Sequence, residues 1–221
     1  MTKRRHIDLS HVVEDGMITY KGLPAPKISD FLSRADSRAR YAPGTEFQIG
    51  LIEMCSNTGT YVDSPFHRYP DGADLAGLEL DRLADVDAIT VAADIRGRAI
   101  DRAQLLAHDV AGKAVLVRTG WDRHWRTDAY FSGHPFLTQD AARYLVERGA
   151  RVVAIDSFNI DDTAGGERPV HSTLLAAGIP ICEHLTNLGS LPASGYRFTA
   201  VPVRVAGMGT FPVRAYATLE T

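Results

Sequence analysis

Cysteine is scarce: Cys55 and Cys182 are the only two among 221 residues. One possible pair in a chain of this length is no disulfide framework and suits a reducing compartment. Both are read as buried thiols, and Cys55, two residues ahead of a polar motif, could also line a site. Long apolar runs are missing too. No stretch of about 18 apolar residues is present, so no segment is suited to crossing a bilayer as a helix. The first residues, Met-Thr-Lys-Arg-Arg-His-Ile-Asp-Leu-Ser, are positively charged with no apolar stretch behind them and fail as a secretory signal. Nor does one sign of charge dominate. The 24 basic and 27 acidic residues give a formal net charge of -3, scattered singly along the chain. Neither nucleic acid nor a membrane surface is an expected partner. The expectation is a soluble, cytoplasmic protein acting on a small molecule.

What is present is apolar material for one sizeable core, at 45% hydrophobic content, so one domain over residues 1–221 is expected. Apolar alternation and short apolar runs predict strands over Ile7–Leu9, Phe47–Met54, Ala88–Ala93, Ala114–Arg118, Val152–Ile155, Arg197–Val205 and Val213–Leu219. Helical spacing is clearest over Gln139–Arg148, with Thr138 as N-cap and Gly149 as stop. Shorter helices are predicted over Arg102–Ala107 and Ser172–Ala177. Loop signals are densest over Lys21–Pro26 and Asp161–Arg168. Interleaved strands and helices imply a mixed α/β fold.

Chemistry concentrates in Asn57-Thr-Gly-Thr-Tyr-Val-Asp-Ser-Pro-Phe-His67, which follows a strand ending near Met54. Gly59 suits a tight turn and Pro65 stiffens the exit. Asp63 offers a hard carboxylate and His67 an imidazole, types suited to a metal ligand and to a general acid/base. The same pair could equally be a loop-capping Asp and a His bonded to a backbone carbonyl. A second cluster lies downstream: Arg168-Pro-Val-His171, and Glu183 at the end of an apolar run. A carboxylate there is costly to bury unless paired or bound to a cation. Asp63, His171 and Glu183 together would make a three-ligand N/O site that accepts Zn, Mn or Mg.

These residues resemble the cyclase family, which includes bacterial kynurenine formamidases, isatin hydrolases and certain lactamases. The family signature, His-x-Gly-Thr-His-x-Asp-x-Pro-x-His, reads here Asn57-x-Gly59-Thr60-Tyr61-x-Asp63-x-Pro65-x-His67. Ile7-Asp8-Leu9-Ser10, Thr119-Gly120-Trp121, Ile155-Asp156-Ser157 with Asp162, His171, Ile181-Cys-Glu183-His-Leu185-x-Asn187-Leu188 and Pro212-Val213-Arg214-Ala215 extend the match. The resemblance implies a single α/β domain with a small barrel-like sheet flanked by helices, assembled as a homodimer or homotetramer. It also implies metal-assisted opening of a small amide, lactam, lactone or N-formyl compound. Carried over position by position, Asp63, His171 and Glu183 are metal ligands and His67 is the proton shuttle.

Asn57 and Tyr61 stand where the family carries imidazoles. An amide oxygen is a weak ligand, and a phenol with a pKa of about 10 must lose its proton to bind well. One divalent metal is therefore expected in place of two, with Zn foremost and Mn or Mg as alternatives. A metal-independent hydrolase would use Tyr61 as an oxyanion donor beside His67, and a binding protein without turnover would only pack these residues. Tyr20 falls where related formamidases carry an aromatic over the substrate, and Asn57 and Arg68 complete the expected substrate contacts. Trp121, Trp125, Phe131 and Phe136 read as core or interface. His184 is expected to face away from Glu183 as a structural His. No role is assigned to His6, His11 or His108.

Overall fold

The computed structural model describes residues 3–220. Thirteen strands are found among them: β1 Arg4–Asp8, β2 Lys27–Leu32, β3 Ile49–Glu53, β4 Tyr61–Asp63, β5 Val86–Ala92, β6 Ala99–Ile100, β7 Ala114–Arg118, β8 Phe136–Leu137, β9 Val152–Ile155, β10 Ile181–Glu183, β11 Ser194–Thr199, β12 Thr210–Pro212 and β13 Tyr216–Glu220. Helices are few: α1 Arg34–Ser37, α2 Gln139–Glu147 and α3 Pro169–Ala176. The mixed α/β class read from the sequence is the one observed.

Nine strands form one sheet in the order β1-β13-β11-β5-β7-β9-β10-β4-β12. Its centre, β5-β7-β9-β10, is parallel, and the pairs outside it are antiparallel. Parallel strands are covered on both faces, which is why β7 and β9 are nearly continuous apolar runs. Their side chains alternate between two cores. Val115, Val117, Val153, Ile155 and Ile181 pack with Ala141, Ala142 and Leu145 of α2 and Val170, Leu174 and Leu175 of α3. Ala114, Leu116, Val152, Ala154 and Cys182 face the other way, against Val62, Phe198 and Ala217. The period-2 alternation therefore puts Tyr61, Asp63 and Glu183 on the α2–α3 side, opposite Val62 and Cys182.

Several boundaries differ from expectation. The segment expected as a helix over Arg102–Ala107 is a 3-10 turn over Arg102–Gln104 capped by Asp101, and this turn sends Leu105 into the core while Leu106 stays exposed. The strand expected to reach Val205 stops at Thr199, ahead of Pro202, which has no N–H to give a ladder. The strand predicted over Val213–Leu219 begins only at Tyr216, as β13, and the short β12 ahead of it was not predicted; between them the Val213 N–H meets the Thr60 carbonyl at 2.9 Å. β2 was not legible: every position but Leu32 is exposed, so no buried face marks its sequence. It pairs only with β3, and the two form a separate ribbon. Both cysteines are free; Cys182 is buried, but Cys55 is only half-buried and does not line the cavity described below.

Candidate metal centre

Strand pairing assembles the site. β4 lies between β10 and β12, with Asp63 opposite both Ile181 and Thr210 and with Tyr61 opposite Glu183. This places the site beside the carboxyl end of β10, a usual location in sheets with parallel strands. After Asp63 the chain enters a 3-10 turn over Pro65–His67, which delivers His67 to the same point. The turn is gripped by two glycines. A Cβ on Gly209 would stand 2.4 Å from the His67 nitrogen, and one on Gly72 would stand 2.7 Å from Pro65.

Asp63, His67 and His171 each present one ligand atom within 4.8 Å of the others. Asp63 is fully buried. Its Oδ1 accepts the hydroxyl of Thr210, while its Oδ2 is buried with no partner. That oxygen lies 3.6 Å from His171 Nε2. His171 is locked from behind: Asp161 Oδ2 takes Nδ1 at 2.6 Å and the His171 N–H at 3.0 Å, while Asp161 Oδ1 takes the Val170 N–H at 2.7 Å. When the ring is neutral, with Nδ1 carrying the proton, Nε2 presents a lone pair towards Asp63, the arrangement in which a carboxylate fixes the tautomer of a metal-binding imidazole. An orphaned buried carboxylate oxygen facing an imidazole lone pair fits a divalent cation.

Glu183 stands beside this cluster, with Oε1 3.9 Å from His171 Nε2. Its oxygens are already anchored, Oε1 by the Ile160 N–H at 2.6 Å and Oε2 by the Tyr61 hydroxyl at 2.7 Å. Burial pushes Glu183 up and His171 opposes this; burial penalises the His171 imidazolium, yet the carboxylates around it, Glu183 foremost, push that imidazole up overall. Three buried carboxylates around one imidazole thus call for positive charge, from a proton or a metal.

Tyr61 is 1% exposed. Its hydroxyl donates to Glu183, so its oxygen is left to accept from His184 Nε2 at 3.3 Å, and His184 Nδ1 then accepts from the Tyr130 hydroxyl at 2.8 Å. Burial raises Tyr61 and Tyr130 well above the usual phenol range and keeps His184 neutral. His184 does not face away from Glu183 as expected. Its φ of 57° breaks the strand alternation and turns the ring back onto Tyr61. Trp125 and Tyr130 pack against His184 at ring separations of 5.6 and 5.7 Å. His11, given no role from sequence, stacks on Trp125 at 3.9 Å.

A cavity of about 240 Å³ opens above these groups; Tyr20, Asn57, Arg68 and Arg168 line it alongside His67, His171 and Glu183. Tyr20 is held by the Asn159 amide at 2.5 Å and lies 4.5 Å from the Phe158 ring. His67, 37% exposed at its side chain, sits 2.8 Å through Nδ1 from the Thr210 hydroxyl. Since Thr210 gives its proton to Asp63, His67 Nδ1 carries the hydrogen and Nε2 is free to accept.

Sequence reasoning missed Asp161, Thr210, Arg168, Tyr130 and Gly209. Asp162, not Asp161, was the matched position; the structure pairs Asp162 with Arg98 at 3.1 Å. Asp156 proves to be a clasp: it accepts from the Thr119 N–H and hydroxyl at 2.6 Å and from the Gly120 N–H at 2.9 Å, joining the ends of β7 and β9. Gly209→Ala should lower stability by about 1–3 kcal/mol and displace His67. Thermal melting together with the His67 ring NMR shifts checks this, and unchanged shifts would refute the grip assigned to Gly209.

The model of the Cyclase family ("Putative cyclase") matches residues 7–162. Kynurenine formamidase of Bacillus cereus is 25% identical over 216 residues, covering 95% of each chain. That of Geobacillus thermodenitrificans is 28% identical over 181 residues, covering 81% of this chain and 84% of its own. A solved structure described as a potential metal-dependent hydrolase with cyclase activity superposes with a TM-score of 0.81 at 26% identity, over 99% of this chain and 100% of the other. Isatin hydrolase A from Labrenzia aggregata shares the fold, with a TM-score of 0.84 at 21% identity over 99% and 94% of the two chains. With the family match spanning well over half of its length, the chain belongs to the cyclase family.

Proposed function

We propose that the protein is a metal-dependent hydrolase that opens a C–N or C–O bond in a small amide, lactam, lactone or N-formyl compound. The observation that carries this reading is the partnerless, fully buried Oδ2 of Asp63 facing a His171 Nε2 whose tautomer is set by Asp161. The names of the relatives, formamidase and metal-dependent hydrolase, point the same way. Asp63, His171 and Glu183 would hold the cation, and Zn is the ion we assign, with Mn or Mg accepted by the same oxygen-rich set. A divalent cation there supplies Lewis acidity to a water and to the scissile carbonyl.

The chain's own residues do the rest. Asp161 orients His171. Tyr61 and the Ile160 N–H fix Glu183. His67 Nε2, open to the cavity, takes a proton from the attacking water and returns it to the leaving nitrogen or oxygen. Tyr20 and Asn57 border the substrate. The hydroxyl of Tyr61 is committed to Glu183, which argues against a metal-free mechanism using it as oxyanion donor.

One observation favours a second ligand set: the tight three-residue cluster contains His67, not Glu183. Metal content separates the two. His67→Ala should purify with its metal and lose about 10²–10⁴-fold in kcat. Full turnover would remove His67 from the mechanism, and loss of metal would make it a ligand. Asp161→Asn should weaken metal affinity by about 10–100-fold, read by metal titration; unchanged affinity would sink the assigned role of Asp161.

A homodimer or homotetramer is also proposed. The β2–β3 ribbon exposes Phe31, Leu51 and Ile52 at 71%, 53% and 55%, and a two-stranded ribbon with open apolar side chains is poorly stable alone. Sedimentation should give an oligomer that Phe31→Asp with Leu51→Asp dissociates. A monomeric wild type would overturn it.

A further inference from the structure

The floor of the cavity is anionic, with Glu183 lining it and Asp63 beneath. The lining also carries two guanidiniums that the hydrolytic step does not use, those of the exposed Arg68 and the half-buried Arg168. Among the described residues neither has a carboxylate partner. Arg68 is held at one nitrogen, Nε donating to Ser172 Oγ at 3.2 Å, so both of its terminal amino groups are open. Arg168 is held only through Nη1, which donates to the carbonyls of Gly165 at 2.8 Å, Glu167 at 2.7 Å and Asp162 at 3.4 Å. These neutral oxygens fix its position without cancelling its charge. A carboxylate is close by in sequence, yet Asp162 gives its side chain to Arg98 and only its carbonyl to Arg168.

Both guanidiniums are anchored to one end of α3. Arg168 is its N-cap residue and Ser172 lies in its first turns. Their separation is therefore set by a rigid element. Each presents unpaired N–H groups, the donor pattern that matches a carboxylate through two parallel bonds. Tyr20 and Leu23 supply an apolar wall in the same cavity.

We infer that the substrate is an acid: besides its scissile amide or ester it bears a carboxylate, which Arg68 and Arg168 bind while the scissile carbonyl points to the floor. The inference rests on the hydrolase reading above for the scissile end only. The two arginines draw the carboxylate and the floor takes the scissile carbonyl, so the two ends of the substrate are told apart and one orientation is fixed.

The test uses the Zn-loaded protein and two aryl formamides that differ only in a ring substituent, carboxylate in one and carboxamide in the other. The carboxylate compound should have the higher kcat/KM, chiefly through a lower KM. Arg68→Ala and Arg168→Ala should each cut that preference by about tenfold or more. No preference in the wild type, or a preference unchanged in both variants, overturns the proposal. Arg168→Ala loses three carbonyl contacts and can fail to fold; Arg68, an exposed side chain, then decides alone. If neither compound is hydrolysed, the formamide reading of the scissile end has failed. Calorimetry with benzoate against benzamide then settles the acid site by itself. Tighter binding of benzoate that Arg68→Ala abolishes supports it, and equal binding refutes it.

Discussion

Two carboxylates buried side by side set the terms for the rest of the molecule. Asp63 and Glu183 are 0% and 1% exposed, and ionised groups so far from water are tolerated only when hydrogen-bonded and neutralised. The fold meets this demand group by group. Glu183 receives a phenol and a backbone N–H, and Asp63 receives the Thr210 hydroxyl. His171, clamped by Asp161, faces both carboxylates. What is left over, one bare oxygen and net negative charge, is the demand that a cation satisfies. The order of strands β10-β4-β12 is the means by which residues distant in the chain are brought to that point.

Seen from this constraint, Tyr61 is more than a lost ligand. Where the cyclase signature carries an imidazole, a phenol now donates to Glu183 and begins a buried chain through His184 to Tyr130. An imidazole at that position would offer a lone pair to a cation, where the phenol offers a proton to Glu183. The hydroxyl instead secures the geometry of the carboxylate.

The reading from sequence succeeded where chemistry and periodicity coincide. Asp63, His67, His171 and Glu183, singled out by residue type and by the resemblance to the cyclase signature, are found around one point, and β7 and β9 were legible from unbroken apolar runs. It failed where the signal is conformational or supplied from afar. Nothing in the letter of His184 announces a φ of 57°. Asp161 and Asp162 are adjacent and chemically alike, and only the fold decides that the first clamps His171 while the second meets Arg98. Gly209 acts by having no side chain, 142 positions after the residue it touches, which no local pattern could reveal.

The pairing of β12 with β4 has a consequence for biosynthesis. Thr210 and Gly209, which orient Asp63 and seat the turn at His67, come later in the chain than Asp63, His171 and Glu183. A nascent chain emerging from the ribosome holds Asp63, His171 and Glu183 before β12 exists, so until β12 is added these side chains lack the frame that aligns them. Contacts of such high sequence separation form late. A cation site framed in this way is complete only once β12 has paired with β4.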